Sequence, residues 1–282
     1  KLGKYNEAAA KYLEAKELDE LRFRAPKEFN NIIKETSSYF GAIIVNVDSV
    51  FAAKCENGIQ GKNLLVDHLH PNLKGYNLLA DIFLNAIVKA GSIKESPAEG
   101  LGSGDLDSLV WVHFPFTKLD SLIAEYRLAG IMSQWPFVRS GKKLKLEDIK
   151  KPTDYLDSLA IASARGEIKW DEAHKRAAQF FIRKDDPGSV EREFRVLIAQ
   201  FHYLTTFYDM LADAFLQMKL YPESERVLKE SHAVKPGAFA TKWLGILALN
   251  DGKAEAAKRW FTESLNYNGN DAQTLYNLAG AF

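Results

Sequence analysis

Apolar side chains recur at helical spacing along most of this chain. Between Pro26 and Tyr39, Phe29, Ile32, Ile33 and Thr36 fall at i, i+3, i+4 and i+7, which predicts a helix that Gly41 ends. Leu78, Leu79, Ile82, Phe83 and Ala86 predict another over 73–89. Between them the pattern changes to Ala42-Ile43-Ile44-Val45-Asn46-Val47. A continuous β-branched run predicts a strand covered on both faces, as in a parallel sheet flanked by helices. One strand is not a sheet, so its neighbours are expected from elsewhere.

The C-terminal half repeats itself. Leu211-Ala212, Ser224, Leu228 and Ser231 recur as Leu244-Gly245, Ala257, Phe261 and Ser264, each at an offset of 33 residues, and Pro236 closes the first copy. A further copy opens at Thr274-Leu275, and Asp154 to Pro187, with Leu159-Ala160, Gly166, Trp170, Ala173 and Ala177, follows the template with an extra residue in the turn. Small residues where two helices cross and bulky ones between them resemble the tetratricopeptide repeat (TPR). Helix pairs are expected near 155–181, 206–232 and 239–266. Gly3, Tyr5, Ala8, Tyr12 and Ala15 match the turn and second helix of such a repeat without its first. A lone second helix cannot bury its apolar face, so sequence upstream of Lys1 is expected.

Residues 91–107 read as a linker rich in Gly, Ser, Pro and acids. Trp111, Phe114, Phe116, Tyr126, Trp135 and Phe137 then mark an aromatic docking segment with a helix near 118–134. Lys142, Lys143, Lys145, Lys150 and Lys151 are interrupted by Glu147 and Asp148 and read as a solvated loop. The chain thus divides into 1–25 (half a repeat), 26–90 (helix–strand–helix), 91–150 (linker and docking segment) and 151–282 (repeats).

Charge narrows the function. The 37 basic and 37 acidic residues cancel, which argues against a nucleic-acid partner. No apolar run is long enough to span a bilayer. The single cysteine, Cys55, excludes an internal disulfide framework. His113, His174, His202 and His232 show no ligand spacing, so neither a metal nor a cofactor is expected.

The candidate chemistry lies in Leu65-Val66-Asp67-His68-Leu69-His70-Pro71-Asn72-Leu73-Lys74-Gly75-Tyr76. An Asp three residues before a His on a turn can set its carboxylate against Nδ1, fix the tautomer and leave Nε2 to take a proton. Pro71 is pre-organised for a helix start, and Gly75 lets the first turn pack closely. The spacing DxxHP before a closing helix resembles the last conserved block of the SGNH (GDSL-type) serine hydrolases. The order helix, strand, loop, DxxHP, glycine and helix is similar to theirs. That resemblance, over about residues 20–90, implies Asp67 as orienting acid and His70 as general base, with His68 outside the motif.

Together the two resemblances imply a mainly α chain: a TPR-type α-solenoid plus the C-terminal helix–strand–helix portion of an SGNH-like α/β/α sandwich. Flanked by Glu17-Leu18-Asp19 and Ser133-Gln134-Trp135-Pro136-Phe137, it looks like a bacterial subgroup in which TPR repeats interrupt such a domain. Its nucleophilic Ser and its oxyanion Gly and Asn precede DxxH in chain order and are not assignable here. Gly104-Asp105-Leu106 with Ser108 lies after DxxH with no strand before it, and Gly100 to Gly104 forms neither a nucleophile elbow nor a dinucleotide loop. The expectation is therefore an ester or O-acyl hydrolase completed by an upstream segment, inactive as this chain alone, with a peptide or protein on the concave face of the repeats. The alternative is a non-catalytic TPR scaffold, in which Asp67 and His70 merely cap the closing helix. Any signal peptide or membrane anchor would precede Lys1, so the compartment is open.

Overall fold

The computed structural model describes residues 3–20, 24–67, 69–93, 108–110, 113–133 and 151–282. The chain is mainly helical and divides into two units, Lys1–Leu109 and Val110–Phe282. Gly100, Gly102, Gly104, Trp111, Trp135, Phe137 and all the basic cluster except Lys151 lie outside the described residues.

In the first unit the helices are α1 (Tyr5–Glu17), α2 (Lys27–Phe40), α3 (Val47–Ala53) and α4 (Leu73–Lys89), with a 3-10 turn at Glu56–Gly58. Gly41 ends α2 in the left-handed conformation (φ 66°), and Ala42 N–H donates back to Ser37 C=O at 2.8 Å. The small core joins Phe51, Cys55 and Leu64 to Leu78, Leu79 and Ile82, so it lies between α3, the following loop and α4. Neither α1 nor α2 buries a residue. Phe29, Ile32 and Ile33 form the expected stripe, yet each is more than half exposed. Covering them would contribute about 1.5–3 kcal/mol apiece.

The strand expected over 42–47 is not formed, and among the described residues there is no strand at all. Residues 42–46 run without regular structure, and Val47 already belongs to α3, whose cap is Asn46 accepting from Ser49 N–H. The reason is physical. A strand is made by its ladder, and the described residues offer only one isolated bridge, Leu65 with Pro71. The sheet portion expected from the SGNH resemblance is accordingly not seen.

The second unit stacks helices in chain order: α5 (Lys118–Met132), α6 (Tyr155–Ala164), α7 (Trp170–Arg183), α8 (Pro187–Gln200), α9 (Thr205–Gln217), α10 (Tyr221–Val234), α11 (Ala238–Asn250), α12 (Ala254–Tyr267) and α13 (Ala272–Gly280). Helices at 205–234 and 238–267 pair as expected. The first pair differs: α6 packs chiefly on α5, and α7 on α8. Pro187, read above as the end of a repeat, instead opens α8, with Asp186 as cap accepting from Ser189 N–H at 3.1 Å. Proline in the first turn lacks a donor the helix does not need there.

Small residues set the crossings. The Ser224 hydroxyl donates to Ala212 C=O at 3.0 Å, joining α10 to α9. A Cβ on Gly245 of α11 would stand 2.5 Å from Phe261 Cε1 of α12, a ring that is fully buried.

One polar cluster ties α5, α7 and α8 together. His174, fully buried, meets Glu193 Oε2 at 2.5 Å through Nδ1 and Asp120 Oδ1 at 3.2 Å through Nε2. Trp170 Nε1–H also donates to Asp120 Oδ1, at 2.8 Å, and Thr117 N–H donates to Asp120 Oδ2 at 2.9 Å. Burial by itself lowers an imidazole pKa, but hydrogen bonds and charge from the two carboxylates reverse this and raise His174 from 6.5 to about 9. Burial and the Asp120 charge hold Glu193 above the usual carboxylate range, even though His174 pulls it down.

Two outcomes follow. Gly245→Ala should destabilise the second unit by about 1–3 kcal/mol, because a buried ring must yield; an unchanged melting temperature would contradict the crossing. The His174 contribution, raised in the folded state, is complete below about pH 6.5 and is lost as pH rises through about 9. Urea unfolding should therefore report a loss on the order of 3 kcal/mol between those limits. His174→Gln should remove that slope, and a wild-type stability that is flat across the window would refute the buried imidazolium.

Candidate functional site

The loop between the 3-10 turn and α4 is built from both ends. Leu64 C=O accepts from Asn72 N–H at 2.8 Å, and Val66 N–H donates to His70 C=O at 2.8 Å, closing a narrow hairpin. Asn72 then starts α4: its side chain accepts from Gly75 N–H at 3.0 Å and donates to Lys62 C=O at 3.0 Å. Gly75 is buried against the loop, and a Cβ there would lie 2.3 Å from Leu64 O. Only glycine permits that approach.

At the hairpin tip Asp67 receives three donors. Its Oδ1 accepts the N–H groups of Leu69 and His70, each at 2.7 Å, and its Oδ2 lies 2.9 Å from His70 Nδ1. Partial burial disfavours the charge, but the His70 N–H, the His70 ring and the Leu69 N–H outweigh it, and the carboxyl falls from 3.8 to about 2. Asp67 is thus an anion at every pH above about 4 and holds Nδ1–H toward itself. Nε2 takes no part in this contact, and the His70 side chain is 64% exposed.

The two residues singled out by spacing are therefore brought together. His68 lies outside the described residues. A cleft of about 490 Å³ adjoins the loop, walled by Leu65, Leu69 and Pro71 with Ile33 and Lys34 of α2 and Asp48 and Gln60. His70 is not one of its walls. The hairpin turns Leu69 and Pro71 inward and leaves the imidazole between them outward.

Chemically the pair can orient and accept a proton, but acyl transfer also needs a nucleophile and an oxyanion donor set. Among the described residues no hydroxyl pairs with His70. The Asp120–His174–Glu193 cluster escaped sequence reasoning, since its partners are 54 and 19 residues from the histidine. Both of its ring nitrogens are engaged and buried, so it offers neither a lone pair nor access. Among the described residues no helix is long and apolar enough to cross a membrane. No family model matches the chain, and no curated protein matches it.

Gly75→Ala should push Leu64 away and open the hairpin. The His70 ring resonances should then move toward those of an unpaired histidine while α5–α13 keep their stability. Unaltered His70 resonances would show that the close approach does not hold the pair.

Proposed function

We propose that residues 26–90 are the C-terminal portion of an SGNH (GDSL-type) hydrolase acting on an ester or O-acyl group. His70 is the general base and Asp67 its orienting acid. A serine from sequence upstream attacks the acyl carbon, and its proton passes to His70 Nε2. The observation that carries this reading is the 2.9 Å contact between Asp67 Oδ2 and His70 Nδ1, in a loop whose other bonds are spent on fixing that contact. The glycine-dependent junction of the same loop with a closing amphipathic helix supports it.

The helices of 151–282 serve, in this reading, as TPR-type repeats that hold a peptide or protein on their inner face. Support comes from small residues at the crossings, with Ser224 against Ala212 and Gly245 beneath Phe261. A non-catalytic scaffold is the second reading, and the outward His70, absent from the walls of the cleft, favours it.

The test is hydrolysis of a simple aryl ester by protein that extends upstream through a Gly-Asp-Ser block. His70→Ala should lower kcat by about 10⁴-fold or more, and Asp67→Asn by about 10⁴-fold, with little change in KM. Turnover unaffected by His70→Ala would leave the scaffold reading in possession.

A further inference from the structure

Asn72 stands two residues after His70, and both halves of its side-chain amide are committed. Oδ1 accepts from Gly75 N–H at 3.0 Å, and Nδ2 donates to Lys62 C=O at 3.0 Å. A main-chain N–H can only donate and a carbonyl can only accept, so the amide has one orientation and needs both its oxygen and its nitrogen. The first bond is a helix cap, which Ser or Asp would make equally well. The second reaches back ten residues and fastens the start of α4 to the turn in which Gly61 C=O accepts from Leu64 N–H and Leu65 N–H, at 3.0 and 2.9 Å.

That turn is anchored in its own right. Asn63 Nδ2 donates to Cys55 Sγ at 3.2 Å, and Cys55 belongs to the small core with Phe51 of α3. The Asn72–Lys62 bond therefore closes the base of the hairpin on a frame held by α3 and the core. Above that base, Leu64 C=O takes Asn72 N–H and Val66 N–H goes to His70 C=O, each at 2.8 Å, so the place of His70 is inherited from the base. Asp67 sets the rotation of the imidazole within the tip. Its bonds all lie inside residues 67–70 and do not fix where the tip as a whole stands.

We infer that Asn72 is a positioning residue: its amide clamps the hairpin base to Lys62 and so holds His70 at the place from which Nε2 meets the nucleophile. The clamp is independent of any reaction, and its use in positioning a base rests on the hydrolase reading above.

Two variants separate the clamp from the cap. Asn72→Ser keeps an acceptor for Gly75 N–H but is too short to reach Lys62, and Asn72→Asp has the length but no donor. Agreement between a neutral and a charged replacement excludes an effect of charge. In the 282-residue chain, amide exchange at Leu64, Leu65 and Val66 should quicken roughly tenfold in both variants. Gly75 and Tyr76 should stay protected and thermal unfolding should be unchanged. Unaltered exchange at those three amides would overturn the clamp. In protein extended upstream through a Gly-Asp-Ser block, both variants should lower kcat for the aryl ester by about 10- to 100-fold, with KM within about twofold. A role confined to capping would leave kcat alone, so full turnover in either variant would overturn the positioning role. If the wild-type extended protein hydrolyses nothing, the hydrolase reading falls and the positioning role with it, while the exchange result still decides the clamp.

Discussion

The second unit depends on a buried positive charge. His174 has no water to solvate it, and Asp120 and Glu193 supply what water would. Asp120 also serves the start of α5, where with Thr117 it forms a reciprocal cap, so one carboxylate both begins a helix and anchors it to α7. Removing one member of such a group strands the others in a dry interior, which costs far more than the net worth of the contact. The packing of α7 against α5 and α8 therefore includes this one buried set of partners, and the later helices are held by small-residue crossings.

Much of this was legible in the sequence wherever a signal was local. Helix α4 begins and ends where its apolar period does, and Gly41 stops α2 because only the left-handed turn after it reports the boundary. The Asp67–His70 contact followed from a spacing of three on a turn. What failed were inferences about partners. The β-branched run at 42–47 asks for cover and for a ladder, but nothing in it says where either comes from. Asp186-Pro187 reads equally well as the end of one helix and the start of the next, and the structure uses it as a start. The docking of α7 on α8 was missed with it. His174 carried no signal because its partners are distant in sequence.

The two units solve burial differently. In the second, large side chains such as Tyr126, Phe215 and Phe261 vanish between successive helices. In the first, α3, α4 and the hairpin enclose a few residues, while the apolar stripe of α2 stays more than half exposed. Small cores of this kind have little stability in reserve. The hairpin at 64–72 is consequently held by hydrogen bonds and a glycine contact more than by apolar weight.

The crowding of Asp67 has a chemical consequence. With one oxygen committed to two amide donors and the other to Nδ1, the carboxylate has no freedom to rotate. His70 is in effect a one-sided reagent. An alkylating or acylating probe meets a single accessible nitrogen on this ring, so adducts on His70 would form at Nε2 rather than at Nδ1.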